Sequence, residues 1–209
     1  MLLIGPYDSP FVRRVAIAMR LYGIGFEHKP WSTFRDAEKI AAYNPLRRVP
    51  TLVLDSGEVL IESGIILDYL DEVVGEARAM IAPRGEARRH QQRLCSLATG
   101  LGDKAVSLFF ERVLRDEPSR LWVERCEMQI SDALAVLEKE RAAVKTPYLF
   151  GGRIGHSDIA VACMLRLAGE VQANLFDAAR YPALAAHAVH CEALPPFIEI
   201  AQPLTPPKG

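Results

Sequence analysis

A serine-proline pair, Ser9-Pro10, stands where the first strand-like segment gives way to a helical pattern. Serine is a preferred N-cap, and proline suits the first helical position because the amide it lacks has no intrahelical partner there. A helix N-terminus also presents unpaired N–H groups that favour an anion such as a thiolate. Capping by itself explains the pair, but a hydroxyl that accepts from an amide keeps a proton to donate to sulfur. The pair therefore predicts a helix cap that can also stabilise a thiolate.

A second candidate is the turn Arg47-Arg48-Val49-Pro50, which leads into the strand that starts near Thr51. Proline is tolerated at the first residue of a strand, so an ordinary sheet edge explains it. If the Val49-Pro50 bond is cis, the Val49 backbone could instead pair with a bound peptide as an added strand does. The sequence leaves this choice open.

The third candidate is Glu62-Ser63-Gly64, another junction between a strand and a helix, with Ser63 expected at the N-cap. Capping is again a sufficient explanation. The amides and hydroxyl could also bind a carboxylate, while Glu62 would balance a neighbouring ammonium. A carboxylate and an ammonium on one carbon are the end of an amino acid.

Apolar periodicity places these junctions in a β-α-β-α-β-β-α segment, which is followed from about Pro83 onward by helices alone. The chain thus predicts a fold that is α/β plus all-α, with domains at residues 1–77 and 84–209. Gly23 is expected to end the first helix, and the proline-rich tail from Pro195 is expected to be extended.

Composition excludes several function classes for this chain of 209 residues with a net charge of −1. We expect no nucleic-acid or membrane partner, because neither a strong positive charge nor a long apolar run is present. Four widely spaced cysteines and the lack of a signal peptide favour a cytoplasmic protein. The arginine pairs, among them Arg13-Arg14, are interpreted mostly as solvated faces. No metal site is expected, since His187, His190 and Cys191 lack a ligand from another element.

Three segments together resemble the glutathione transferase superfamily, in its serine-type bacterial and plant-like forms. They are YDSPFVRRV at 7–15, NPLRRVPTL at 44–52 and IESGIILDYL at 61–70. The helical half matches mainly in layout, and its capping box has Gly155 in place of the usual Ser or Thr, although Asp158 is retained. The resemblance implies a thioredoxin-like domain 1–77, an all-helical domain 84–209 and a homodimer.

The same resemblance assigns roles for binding glutathione as co-substrate. Ser9 would donate to the sulfur, Val49 before a cis Pro50 would pair with the cysteinyl backbone, and Glu62 with Ser63 would hold the γ-glutamyl group. Arg48 would lie near the glycyl carboxylate. Tyr7 is the alternative thiol donor, since some classes use a tyrosine at the end of the first strand.

The implied activity is detoxification by a glutathione S-transferase, in which the thiolate attacks a small hydrophobic electrophile. Peroxidase or isomerase activity needs only the same thiolate and stays open. Thiol exchange through a protein cysteine is disfavoured, because the first domain has none. The alternative is a non-enzymatic adaptor or regulatory binding protein with the same fold.

Overall fold

The computed structural model describes residues 1–171 and 174–207. Its first part contains four strands and three helices: β1 Leu2–Ile4, α1 Pro10–Tyr22, β2 Glu27–Lys29, α2 Ala37–Ala41, β3 Thr51–Val53, β4 Val59–Ile61 and α3 Ser63–Val74. The helices that follow are α4 Gly85–Val113, α5 Arg120–Ala142, α6 His156–Val171, α7 Pro182–Glu192 and α8 Pro195–Glu199. The predicted fold class and element order are confirmed.

The four strands form one sheet in the order β2-β1-β3-β4. β1 runs parallel to β2 and antiparallel to β3, and β3 and β4 form an antiparallel hairpin. Leu3 and Ile4 of β1 are fully buried, as expected for a strand with a neighbour on each side and cover on both faces. The loop after β1 therefore leaves the middle of the sheet, which is where Ser9 begins α1.

Helix α1 is buried around almost its whole circumference, with ten of its 13 residues out of solvent. It contacts α3 of the sheet-containing half and α6 and α8 of the helical half. Gly23 ends it in a left-handed conformation with φ of 71°, so the predicted C-cap is confirmed. Both halves of the chain thus hold the helix whose first turn carries the Ser9 hydroxyl.

The burial of α1 corrects the interpretation of Arg13-Arg14 as a solvated face. Arg13 and Arg14 are only 2% and 4% exposed. The Arg13 guanidinium forms a double hydrogen bond with the Glu192 carboxylate, at 2.6 and 2.7 Å, and donates to the carbonyls of Ile200 and Phe197. The sequence predicted that charged residues on this helix face solvent. The structure shows instead that Arg13 is buried and connects α1 to the C-terminal segment.

The expectation of an extended tail from Pro195 is also wrong in its first turn. Residues 195–199 form α8, which starts on two prolines at positions where no amide is needed. Phe197 of α8 is fully buried, and the Arg13 guanidinium lies 5.4 Å from its ring centroid. Packing against α1 therefore stabilises a helix too short to form alone.

A buried polar cluster joins the two halves. The Tyr22 hydroxyl donates to Asp71, and His156 Nε2 lies 2.9 Å from the same carboxylate. The linker enters this cluster through the Met80 amide, which donates to the Tyr22 oxygen at 2.7 Å. The division at residues 77 and 84 stays a prediction, since one apolar cluster includes side chains from α1, α3, α6 and α8.

The start of α6 is the capping box expected from Gly155 and Asp158. The Asp158 carboxylate accepts from the Gly155 amide at 2.8 Å and, with its other oxygen, from the Leu149 amide at 2.8 Å. Glycine supplies no side-chain cap, so the reciprocal half of the box is absent. Within residues 1–171 and 174–207, no helix combines the length and apolarity needed to cross a bilayer.

The end of β1 generates a prediction about stability. Gly5 has φ of +128°, and a β-carbon there would lie 2.5 Å from Val12 Cγ2 and 2.7 Å from Val49 Cβ. We expect Gly5→Ala to lower the free energy of unfolding by about 2–4 kcal/mol through strain and overpacking. Denaturant unfolding measures this value.

The matched control is Gly100→Ala on the exposed face of α4, where no atom lies within 4 Å of the added β-carbon. Helix propensity should make that variant more stable by up to about 1 kcal/mol. Equal unfolding midpoints for the two variants would contradict the assignment of Gly5.

Candidate active site

A cleft of about 580 Å³ lies between the sheet-containing half and the helices. Its volume falls in the range of small-molecule sites, roughly 300–1,000 Å³. One wall is formed by the β1–α1 loop, the segment 30–35 and the turn 47–49, and the opposite wall by α4 and residues 202–207. Ser9, Arg48 and Val49, three of the predicted site residues, line it together.

Ser9 is the N-cap of α1, as predicted. Its hydroxyl oxygen accepts from the Val12 amide at 3.5 Å, and Pro10 follows as the first helical residue. Because the oxygen acts as acceptor in the cap, the hydroxyl proton can be donated to a group in the cleft. The positive end of the α1 dipole favours an anion at the same point.

Val49 lies beside Ser9 in the cleft, and its bond to Pro50 is cis. Two residues that sequence reasoning missed hold this turn. Gly5 permits the close approach of Val49 to β1, and the buried Asn44 amide donates to the Arg48 carbonyl at 2.9 Å and to Thr51 Oγ1 at 3.2 Å. Asn44 precedes a proline in a loop, a position typical of turn-forming side chains, and this signal could have identified it.

Ser63 was expected at the N-cap of α3, and this is wrong by one residue. Helix α3 begins at Ser63 itself, with Glu62 as N-cap at φ of +67°, a conformation rarely adopted by residues other than glycine. The Ser63 hydroxyl is buried and accepts from Arg14 Nη1 at 3.4 Å instead of capping the helix. Glu62 and Ser63 are not among the residues that line the cleft, so the structure does not bring the whole predicted set into one cavity.

Arg48 links the two groups of predicted residues. Its Nη1 lies 3.3 Å from Glu62 Oε1, and both side chains are more than half exposed. The α3 N-terminus therefore adjoins the rim of the cleft through an ion pair, although it lies outside the cavity itself. The pair is weak where water screens it and can rearrange around a charged ligand.

Tyr7, the alternative thiol donor, is not among the residues that line the cleft. Its ring stacks on His28 at a centroid distance of 3.9 Å and an interplanar angle of 3°. Burial raises the pKa of the Tyr7 hydroxyl, which makes a phenolate less accessible. The residue is absent from the cleft lining, whereas Ser9 is part of it.

The far end of the cleft is aromatic and apolar. Phe34 and Phe110 meet edge to face across the two halves, with centroids 5.3 Å apart. The apolar lining is completed by Phe11, Val106, Phe109, Leu167 and Leu204. Asp103 on α4 is the acidic side chain on this wall, and burial raises the pKa of its carboxyl group. Such a lining suits a small apolar molecule with few polar groups.

The C-terminal segment closes this end of the cleft and was not identified from the sequence. Gln202 Oε1 accepts from the Tyr7 amide at 3.1 Å, the Leu204 amide donates to Glu170 at 2.9 Å, and the Thr205 amide donates to Asp8 at 3.2 Å. Five residues of the segment, 202 and 204–207, contribute to the lining. A proline-rich tail carries no periodic signal, so only its contacts reveal this role.

Within the described part of the chain, no three His, Cys, Asp or Glu side chains are grouped to hold a metal ion. His187 and Cys191 do contact each other, with Nε2 and Sγ 3.6 Å apart, but both are buried below the Asp158 cap. Burial lowers the pKa of His187 to about 4 and so favours the neutral imidazole. These residues belong to the packing of α6 and α7.

Known proteins share both halves of this architecture. The family profile of the glutathione S-transferase N-terminal domain matches residues 3–78, and that of the C-terminal domain matches residues 120–188. Glutathione S-transferase U6 of Arabidopsis thaliana is 28% identical over 163 residues, which cover 78% of this chain and 69% of the relative.

Solved structures share the fold over nearly the whole chain. A glutathione S-transferase from Methylobacterium radiotolerans, in complex with glutathione sulfonate, has a TM-score of 0.87 at 29% identity and covers 98% of this chain and 97% of its own. One from Methylobacillus flagellatus with bound glutathione has a TM-score of 0.85 at 26% identity, covering 96% and 98%. With both domain profiles matched and this fold, the chain belongs to the glutathione transferase superfamily.

Proposed function

We propose that the protein is a glutathione transferase that binds glutathione as a thiolate for attack on a small hydrophobic electrophile. The observation that carries this proposal is the position of Ser9, whose hydroxyl caps α1 and lines a cleft with Val49 on one side and an aromatic wall on the other. Relatives of the same fold bind glutathione or its sulfonate.

The proposed orientation follows from the charges around the cleft. The sulfur lies against Ser9, the cysteinyl backbone against Val49, and the glycyl carboxylate near Arg48. The γ-glutamyl end reaches the N-terminus of α3, where Glu62 and Ser63 stand at the cleft rim. The electrophile occupies the end formed by Phe34, Phe110 and the C-terminal segment.

The proposed chemistry has two contributions. A free thiol with a pKa of about 8.5 is only about 3% thiolate at pH 7. Lowering that pKa to about 6.5 by a helix N-terminus and one donor makes thiolate the major form, a gain of roughly 30-fold. Any further acceleration comes from holding the electrophile against the sulfur. Ser9 stabilises the thiolate and is not itself a covalent nucleophile.

Peroxidase or isomerase side activity and a role in detoxification belong to the same proposal, because each needs only the bound thiolate. A homodimer in the cytoplasm is also proposed, in line with four free cysteines. Calorimetric titration with glutathione tests the core of the proposal, followed by a panel of aryl halides, peroxides and enones. Absence of binding would favour the non-enzymatic adaptor.

Replacement of the Ser9 hydroxyl tests the thiol assignment. We expect Ser9→Ala to raise the pKa of the bound thiol by about one to two units, since a hydrogen bond to a charged group contributes about 1.5–3 kcal/mol. At pH 7 the smaller thiolate fraction should lower kcat/KM by about three- to 30-fold. Tyr7→Phe should change neither quantity. Ultraviolet absorbance of the thiolate against pH, with steady-state kinetics, measures both.

Ser119→Ala is the matched control for capping. Ser119 caps α5 through the Trp122 amide at 3.4 Å and lies outside the cleft. Both serine variants should lose about 1 kcal/mol of stability from the missing cap, but only Ser9→Ala should alter the thiol. Loss of activity in Tyr7→Phe together with a fully active Ser9→Ala would reverse the assignment.

The apolar end of the cleft gives a second prediction. We expect Leu204→Ala to raise KM for a hydrophobic electrophile about five- to tenfold, from the apolar contact it removes, with KM for glutathione unchanged. Ile198→Ala, at a side chain that is 63% exposed on α8, should leave both constants unchanged. A rise in both constants for Leu204→Ala would mean that the tail supports the fold and not the electrophile pocket.

A further inference from the structure

Arg14 is a buried guanidinium for which the described part of the chain supplies no anionic partner. Its side chain is 4% exposed on the face of α1 that packs against α3. Nη1 donates to Ser63 Oγ at 3.4 Å, and Nε is buried with no hydrogen bond. Among residues 1–171 and 174–207, no carboxylate forms an ion pair with this guanidinium.

The neighbouring Arg13, in the same helix, has hydrogen-bond partners for its guanidinium. Arg13 pairs with Glu192 through two hydrogen bonds and reaches two backbone carbonyls. Burial lowers the pKa of Arg14. At Arg13 burial acts in the same direction, but interactions with Glu192 and Cys163 together raise the pKa above its usual value. A buried charge is normally paired, so the lack of a carboxylate at Arg14 needs an explanation.

The surroundings of Arg14 concentrate positive charge at one point. Ser63 is the first residue of the 12-residue helix α3, and the N-cap Glu62 contributes no side-chain cap, so no side chain of the cap accepts from the first-turn amides. Because Ser63 Oγ accepts from Arg14, its own proton faces away from the guanidinium and can be donated outward. Amides, hydroxyl and guanidinium together complement a carboxylate.

We propose that Arg14 is a positioning residue for ligand binding: it orients the Ser63 hydroxyl and supplies buried positive charge that the α-carboxylate of the γ-glutamyl group neutralises. The inference rests on the proposed function. This role explains why an unpaired guanidinium is kept in the core. The free-energy cost of burying its charge is offset when the ligand carboxylate binds. Arg14 does not contact the reacting sulfur, so its effect falls on affinity for glutathione.

Arg14→Met tests the proposal, because methionine keeps the length and apolar stem of the side chain. We expect glutathione to bind at least tenfold more weakly by calorimetry, while the unfolding temperature without ligand stays equal or rises. For the glutathione analogue that lacks the glutamyl α-carboxylate, the inhibition constant should be the same in both proteins. The KM for the electrophile should also be unchanged.

Arg14→Lys keeps the charge and should recover part of the affinity, which protects the test if the methionine variant folds poorly. Arg13→Met is the contrasting control: it removes the double hydrogen bond to Glu192, which keeps Arg166 at 3.6 Å, and the bonds to two backbone carbonyls. It should therefore lower the unfolding temperature.

The results distinguish failure of the proposed function from failure of the proposed role of Arg14. If the wild-type protein binds no glutathione, the proposed function fails. Two results would overturn only the role of Arg14, provided that the wild-type protein binds glutathione. In the first, Arg14→Met binds glutathione as tightly as the wild type does. In the second, Arg14→Met weakens binding of the decarboxylated analogue as much as it weakens binding of glutathione.

Discussion

The structure depends on the burial of α1 between the two halves of the chain. One face of the helix packs on the sheet and α3, and the other on α6 and α8. Fully burying an aliphatic side chain contributes about 1.5–3 kcal/mol, and α1 buries Val12, Val15, Ile17 and Met19 completely. The helix can therefore hold Ser9 at its first turn without help from any ligand.

The two arginines of α1 reach different parts of the structure. Arg13 is paired with Glu192 inside the protein and connects α1 to the C-terminal segment. Arg14, one residue further along, faces Ser63 at the start of α3. Because successive helical residues point about 100° apart, adjacent arginines reach different elements. The same pair thus anchors the tail on one side and faces the rim of the cleft on the other.

The two walls of the cleft are held in place in different ways. Ser9 and Val49 are placed by backbone geometry, at a helix start and before a cis proline. The opposite wall consists of side chains from α4 and of a tail held by hydrogen bonds to Asp8 and Glu170. One wall is therefore fixed by backbone geometry, whereas the shape and polarity of the other depend on the identity of its side chains.

Local patterns were enough to predict the order of elements, the cap at Ser9 and the turn at Val49-Pro50 as a candidate site, whereas the cis bond itself is seen only in the structure. Each of these is set by neighbours in sequence: a capping serine before proline, a turn before a strand, and apolar residues at helical spacing. The family resemblance of three such segments supplied their functional roles.

Only the tertiary structure decided which side chains are buried and what they face. Arg13 and Arg14 were expected in solvent, Ser63 was expected to cap α3, and the tail after Pro195 was expected to be extended. All three errors have one cause, because each depends on contacts between residues about 50 to 190 positions apart. A local sequence pattern carries no information about such partners, and these contacts place the Arg14 guanidinium behind Ser63 and the C-terminal segment against the cleft.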